Sequence, residues 1–220
     1  MIDDEVVIHI KEDKSVRLEI TENGKTRTKL ISPQTLFDCI KGSLSSTPVK
    51  IASGLLPSNI ISVTGDETGA KYAVVEYAYE TADITYMTTE YKDFPLPRLV
   101  FGFSISADNR ITHVRLGVTE QGRLTPKSKM FIYPFSNVSG FSLCTGSNTF
   151  PQIKSLHQLN GIPYFILQMP NNYDRYDEDN TKLSLDYRGL LEHLKDKDSQ
   201  YYYDNVLIDM EKTLSDFIQQ

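Results

Sequence analysis

The chain has 220 residues, of which 40% are apolar and 24% are charged, which is the composition of a globular protein. Its 23 Lys and Arg against 29 Asp and Glu give a net charge of −6, and no long cluster of basic residues stands out. Because binding to a phosphate backbone needs a basic surface, this charge argues against a nucleic-acid-binding protein.

The beginning of the chain lacks the pattern of a secretory signal. The segment MIDDEVVIHIKED carries acidic residues where a signal peptide is basic, and its apolar run is short. No stretch reaches the ~18 consecutive apolar residues of a membrane-spanning helix. We therefore expect a cytoplasmic protein that does not bind membranes, with Cys39 and Cys144 as reduced thiols.

The first part of the chain predicts a small β-rich unit followed by a helix. Alternating apolar and polar residues predict three strands, at 5–10, 15–20 and 25–31. Asn23 and Gly24 predict a hairpin turn, and Ser32 and Pro33 predict the start of a helix. Cys39 lies near the apolar stripe of this helix, so we expect it to be a small buried side chain.

Tyrosine and β-branched residues dominate the middle of the chain, as is typical of an antiparallel meander. Strands are predicted at 72–79, 84–88, 99–105, 111–119 and 131–133. The residues Phe-Pro-Leu-Pro at 94–97 predict a rigid extended crossing before the central strand.

The last part of the chain predicts helices, at 150–159, 184–194 and 205–218. Gly161, Ile162 and Pro163 are predicted to end the first of them. The whole pattern predicts an α+β fold, in which a central antiparallel meander precedes helices that pack on one face. We divide the chain into an N-terminal β-rich extension or subdomain, residues 1–70, and a main domain, residues 71–220.

Few residues are arranged for chemistry. The four histidines are scattered and neither cysteine belongs to a Cys-x-x-Cys pair, so we expect no metal site. The segment 65–69 lacks the Gly-Lys-Ser/Thr end of a phosphate-binding loop, and no Gly-x-Ser-x-Gly elbow is present. We therefore expect no cofactor.

The segment 126–146, PKSKMFIYPFSNVSGFSLCTG, is the strongest functional signal in the sequence. A short apolar strand runs into a turn rich in Pro, Asn and Gly, which predicts that Cys144 is presented at a surface. A thiolate can accept an acyl group and hold it as a thioester. Asn137, whose side-chain amide carries two N–H groups, is a candidate donor to the oxyanion that forms.

The order of residues in this segment resembles the active-site stretch of the ubiquitin-conjugating-enzyme superfamily, which runs His-Pro-Asn-Ile/Val, then Gly, then Ile-Cys-Leu. The matching residues are Tyr133, Pro134, Asn137, Val138, Gly140, Leu143 and Cys144. With PLPRLVF at 95–101 and MPNNYD at 169–174, the chain is more similar still to the bacterial branch called prokaryotic family D. That branch of conjugating-enzyme-like proteins includes the PRTRC-system protein B of plasmids and other mobile elements. The resemblance covers roughly residues 95–195.

The resemblance implies a conjugating-enzyme-like (UBC-like) core and a transferase activity. Cys144 would take the C-terminal acyl group of a ubiquitin-like protein from an activating enzyme of the ThiF type and pass it to an amine or a thiol. Asn137 would be the motif asparagine, and Pro134 and Gly140 would set the geometry of the turn. The chain departs from the family pattern at Tyr133, which replaces the motif histidine, and by two residues inserted before the asparagine.

The sequence leaves several alternatives open. Asn171, Asn172 and Asp174 are candidates for orienting an incoming amine, but a turn explains them equally well. The whole protein is also compatible with a catalytically inactive scaffold of a plasmid or mobile-element maintenance system. A third interpretation is a hydrolase in which His113 or His157 acts as the base for the cysteine.

Overall fold

The structure is a computed structural model that describes residues 5–45 and 55–219. It is a mixed α+β protein whose sheets are mostly antiparallel, and its contacts divide the chain into two compact units, Met1–Ile51 and Ala52–Gln220. Within the described ranges, no helix is both long and apolar enough to cross a membrane.

The first unit contains a three-stranded antiparallel sheet and one helix. Its elements are β1 (Glu5–Ile10), β2 (Val16–Glu22), β3 (Lys25–Ile31) and α1 (Pro33–Ser45). Asn23 and Gly24 both have positive φ, 52° and 74°, as a tight hairpin turn requires. The Thr35 backbone N–H donates to Oγ of Ser32, which caps α1 as predicted. Cys39 is exposed, so its predicted burial is wrong.

In the described part of the second unit there are ten strands. In chain order they are β4 (Ile60–Gly65), β5 (Lys71–Glu76), β6 (Thr81–Tyr86), β7 (Thr89–Pro95), β8 (Leu99–Ile105), β9 (Ile111–Thr119), β10 (Lys129–Phe131), β11 (Val138–Ser139), β12 (Ser142–Leu143) and β13 (Asp209–Thr213). The main sheet has the order β11-β12-β9-β8-β5-β4, with β10 between β9 and β13. β6 and β7 form a separate hairpin. β4, which the sequence placed in the N-terminal extension, therefore belongs to the main sheet.

The two predicted strands at 99–105 and 111–119 are confirmed to the residue. The hairpin β6–β7 replaces the single strand predicted at 84–88, and its second strand includes the start of the predicted extended crossing. The turn of this hairpin depends on Met87, which adopts a positive φ of 55°. Left-handed methionine is uncommon, so the sequence carries no turn signal there.

The helices of the second unit are short. They are α2 (Ile162–Leu167), α3 (Tyr187–Leu194), α4 (Ser199–Asn205) and α5 (Leu214–Ile218), with 3-10 turns at Leu156–Asn160 and Glu178–Asn180. The helix predicted at 150–159 is thus reduced to the first of these turns. Pro163 does not stop a helix but lies in the first turn of α2, where a proline needs no N–H partner.

The single helix predicted at 205–218 is wrong. The chain instead ends α4 at Asn205, forms the strand β13 and starts α5 at Leu214. Glu211 has a φ of 56°, which an α-helix does not permit, and β13 pairs with β10. The spacing of apolar residues that suggested one helix comes from two short elements with buried side chains.

The helices cover both faces of the main sheet. Buried residues of α3 and α4 pack with Ala73, Val75, Phe101 and Phe103 on one face. α5 packs with the alternate residues of the same strands on the other face, in a smaller cluster of Tyr72, Val74, Val100, Met130, Phe141, Leu214 and Phe217. The prediction that all C-terminal helices share one face is therefore wrong.

Candidate active site

The loop that carries Cys144 is anchored by a small hairpin. β11 and β12 pair through Val138 with Leu143 and through Ser139 with Ser142, and Gly140 occupies the first turn position with a φ of 58°. β12 continues the main sheet beside β9. Cys144 follows directly, and its side chain is exposed, as the turn predicts.

The backbone of Asn137 connects two loops. Its φ is 65°, a left-handed conformation that asparagine tolerates better than most residues. The Asn137 carbonyl accepts the backbone N–H of Cys144 at 2.8 Å. The Asn137 N–H donates to the carbonyl of Asp174, also at 2.8 Å. Asn137 therefore joins the cysteine loop to the loop 171–174.

The side chain of Asn137 strengthens this connection. Its Nδ2 donates to Oδ1 of Asn171 at 3.2 Å and to Oγ of the buried Ser136 at 3.3 Å. An amide nitrogen has two N–H groups, so both have acceptors within the protein. The predicted oxyanion role of Asn137 would require one of these hydrogen bonds to break.

The loop 171–174 is held by the tip of the β6–β7 hairpin. The Asn171 backbone N–H donates to the carbonyl of Thr85 at 2.7 Å, and the Asn171 carbonyl accepts the N–H of Met87 at 2.9 Å. Asn172 and Asp174 form a local turn, with Asn172 Nδ2 donating to Asp174 Oδ2 and the Asp174 N–H donating to Asn172 Oδ1. The turn role that the sequence left open for these two residues is present in the structure.

These two loops and α2 enclose a cleft of about 170 Å³. Six of the predicted site residues line it, namely Tyr133, Asn137, Cys144, Asn171, Asn172 and Asp174. Pro134 is buried beside it, and Gly140 lines a neighbouring groove. The sequence did not single out Ser136, Thr145, Gly146 or Asn148, which also line the cleft. These four residues lie within four positions of Asn137 or Cys144 in the chain, and this proximity could have been used to predict that they line the site.

Tyr133 lines the cleft beside Asn137 and Cys144. Its ring packs edge-to-face on Phe135, with centroids 5.3 Å apart. Burial raises the pKa of Tyr133 well above its usual value, so the phenol keeps its proton at neutral pH. The side chain therefore contributes a neutral wall to the cleft.

The residues that line the cleft include no histidine, lysine or arginine. His113 lies on β9 and His157 in the 3-10 turn, and both are exposed. Neither is therefore placed as a base for Cys144 in the cleft, which counts against the hydrolase interpretation. Among the residues that the structure describes, no group of three or more His, Cys, Asp or Glu could hold a metal ion.

Four exposed apolar side chains lie on α2, in the loop 171–174 and at the tip of the hairpin that holds this loop. They are Met87 at the hairpin tip, Tyr164 and Phe165 on α2, and Tyr173 in the loop 171–174. Their exposed fractions lie between 42% for Tyr164 and 61% for Tyr173. We call these four residues the apolar rim.

Comparisons with protein-family models, curated proteins and solved structures found no match for this chain.

Proposed function

We propose that this protein is a ubiquitin-conjugating-like acyl carrier, in which Cys144 accepts the C-terminal acyl group of a ubiquitin-like protein and passes it to an amine or a thiol. The observation that carries the proposal is the cleft, in which an exposed cysteine lies with Asn137 and Asn171. A cysteine that only filled space would be buried.

The order of the elements supports a conjugating-enzyme-like core. The strands β4, β5, β8 and β9 lie side by side in the main sheet and pair antiparallel, and the separate hairpin β6–β7 comes between β5 and β8 in the chain. The Tyr133-Pro134 segment and the cysteine loop come next, and α3 then packs on the sheet. This succession of meander, cysteine loop and helix is the one that the resemblance implies.

The chemistry suits a cleft without a basic side chain. The thiolate of Cys144 attacks the carbonyl carbon of a thioester on the activating enzyme, a new C–S bond forms, and the old C–S bond breaks. The departing thiolate takes up the proton that Cys144 released. Because thiols exchange through thiolates, this step needs no strong base beside the sulfur.

The apolar rim supports a protein as the substrate. Large exposed apolar side chains near a site are typical of a protein–protein contact. The rim side chains lie on the same short elements that position the cleft, so a folded partner bound there would bring its chain end to Cys144. The activating protein of the ThiF type and the ubiquitin-like protein are the partners that this function requires.

The test is acyl transfer from a defined thioester. We would incubate the protein with a short peptide whose C-terminal glycine is a mercaptoethanesulfonate thioester and follow the intact mass. Cys39 provides an internal reference, because it is also exposed. We expect a dithiothreitol-sensitive adduct that forms on Cys144 at least tenfold faster than on Cys39, that disappears in Cys144→Ala and that persists in Cys39→Ala.

The same experiment separates the carrier from the inactive scaffold. A scaffold has no reason to favour one exposed thiol, so equal acylation of Cys39 and Cys144 would refute the proposal. If Cys144→Ala unfolded, the loss of the adduct would not report on the thiol. We would therefore measure the stability of this variant by urea denaturation and repeat the acylation with Cys144→Ser, which is closer to cysteine in shape.

A further inference from the structure

On the basis of the proposed function, we infer that the oxyanion formed at Cys144 is held by the backbone N–H groups of Thr145 and Gly146, not by the side chain of Asn137. When the thiolate adds to the carbonyl carbon, the C–S bond forms and the carbonyl electron pair moves to oxygen. When the intermediate collapses, that pair returns and the bond to the departing thiolate breaks. Hydrogen-bond donors that contact the oxygen while it carries the negative charge stabilise this intermediate and accelerate transfer.

Two obvious donors near the sulfur are already used. The backbone N–H of Cys144 donates to the carbonyl of Asn137 at 2.8 Å. Both side-chain N–H groups of Asn137 have acceptors, in Ser136 and Asn171. Neither group can therefore meet an oxyanion without breaking a hydrogen bond that joins the two loops.

The next two N–H groups along the chain have no acceptor in the described part of the structure. They belong to Thr145 and Gly146, and both residues line the cleft with Cys144. Consecutive Cα atoms are about 3.8 Å apart, so covalent geometry keeps these groups close to the sulfur. In α/β-hydrolases the N–H of the residue after the nucleophile has the same role.

The loop fixes the direction of one of these groups. The Thr145 carbonyl accepts the backbone N–H of Asn148 at 3.1 Å and the Asn148 side-chain N–H at 2.9 Å. In a trans peptide the carbonyl and the following N–H point in opposite directions, so the Gly146 N–H points away from Asn148. Gly146 has a φ of 57°, and successive N–H groups beside a left-handed residue form a concave anion site.

The test removes single N–H groups without changing side chains. Replacing Thr145, or separately Gly146, by the corresponding α-hydroxy acid converts one amide to an ester. Ser147 is the matched control, since its N–H also has no acceptor in the described structure and it does not line the cleft. Loss of one oxyanion donor slows enzymes about 10²- to 10³-fold. We expect acylation by the peptide thioester to fall at least about tenfold for Thr145 or Gly146 and to be unchanged for Ser147.

Alkylation of Cys144 by iodoacetamide distinguishes a lost donor from a damaged loop, because that displacement forms no oxyanion. We expect the esters at Thr145 and Gly146 to leave the alkylation rate unchanged. Normal acylation in both ester variants would overturn the inference. Acylation that is slow in Asn171→Ala but normal in the ester variants would also overturn it, because Asn171 accepts a hydrogen bond from the side chain of Asn137. The proposed function fails separately, if the unmodified protein shows no selective acylation at Cys144.

Discussion

The side-chain amide of Asn137 donates to Oδ1 of Asn171 across 3.2 Å and joins two loops that lie far apart in the sequence. The backbone of Asn137 joins the same loops through hydrogen bonds to Cys144 and Asp174. One residue in the left-handed conformation thus makes three connections around the cleft. Within the proposed function, Asn137 is a positioning residue.

Replacing Asn137 by glycine and by alanine separates its side chain from its backbone. Asn137→Gly removes the amide but permits the positive φ, and we expect it to lower the free energy of unfolding by about 1 kcal/mol. Asn137→Ala also forces a Cβ into the left-handed region, which costs about 1–2 kcal/mol more. Urea denaturation measures both. An alanine variant as stable as the glycine variant would contradict the assigned backbone role.

Arg188 on α3 supports the hairpin that holds Asn171. Its guanidinium lies 5.1 Å from the ring centre of Tyr86 and donates to Oγ1 of Thr89 at 3.3 Å. We expect Arg188→Ala to destabilise the hairpin by about 0.5–1 kcal/mol, the usual value of an exposed cation–π contact. Hydrogen exchange at the N–H groups of Met87 and Asn171 should become faster.

Two further variants serve as controls for Arg188. Lys195 lies at the end of the same helix and forms an exposed ion pair with Glu192 at 2.8 Å. Lys195→Ala should leave hydrogen exchange at Met87 and Asn171 unchanged, because such pairs contribute little. Arg188→Lys should retain part of the stabilisation, since an ammonium keeps the cation–π attraction but loses the planar stacking of a guanidinium. Unchanged exchange in Arg188→Ala would show that the hairpin does not depend on this contact.

Phe141 anchors the cysteine loop to the C-terminal helix α5. Its ring packs edge-to-face on Phe217 at 4.9 Å between centroids, and Arg115 lies 5.0 Å from its ring centre. Its carbonyl also accepts the backbone N–H of Leu116 at 2.9 Å. We expect Phe141→Ala to lower the free energy of unfolding by about 3–5 kcal/mol, as for other buried aromatic residues.

The matched variant Phe141→Leu keeps most of the buried volume and should cost clearly less than Phe141→Ala. We also expect Phe141→Ala to slow acylation of Cys144 by the peptide thioester, because the loop loses its anchor. Equal stabilities for the alanine and leucine variants would mean that the loop is held mainly by its backbone hydrogen bonds.

Part of this fold can be predicted from the local sequence. The strands 99–105 and 111–119 were predicted to the residue because they are β-rich runs bounded by clear turns. The hairpin at Gly140 brings Asn137 and Cys144 together over a short distance in the chain, so their approach was also predictable.

Other features depend on contacts between distant residues. Asn171 meets Asn137 and Thr85 only after the whole unit has folded, and no local pattern marks either contact. The segment 205–218 has helical spacing of apolar residues, but the pairing of β13 with β10 overrides it. The backbone N–H groups of Thr145 and Gly146, which have no acceptor among the described residues, could not be identified from the sequence for the same reason, since hydrogen-bond partners are a property of the fold.

Buried tyrosines make the stability of the second unit depend on pH in the alkaline range. Burial raises the pKa of Tyr133 above its ordinary value of 10.0, so the folded protein keeps a proton that the unfolded chain loses. The stabilisation is complete below pH 10 and is lost as the pH rises above it, because the unfolded state then binds fewer protons. Burial similarly raises the pKa of Tyr77 to about 12.

Tyr133→Phe removes one of these ionisable groups from the cleft wall. We expect the free energy of unfolding of this variant to fall less steeply between pH 9 and about 11 than that of the unmodified protein. Urea denaturation at several pH values measures the slopes, and Tyr79→Phe is the control, because Tyr79 is exposed. We also expect Tyr133→Phe to leave the pH profile of acylation unchanged, since the neutral phenol transfers no proton in the proposed reaction. A profile that shifts in Tyr133→Phe would instead make the phenol a participant in the chemistry at Cys144.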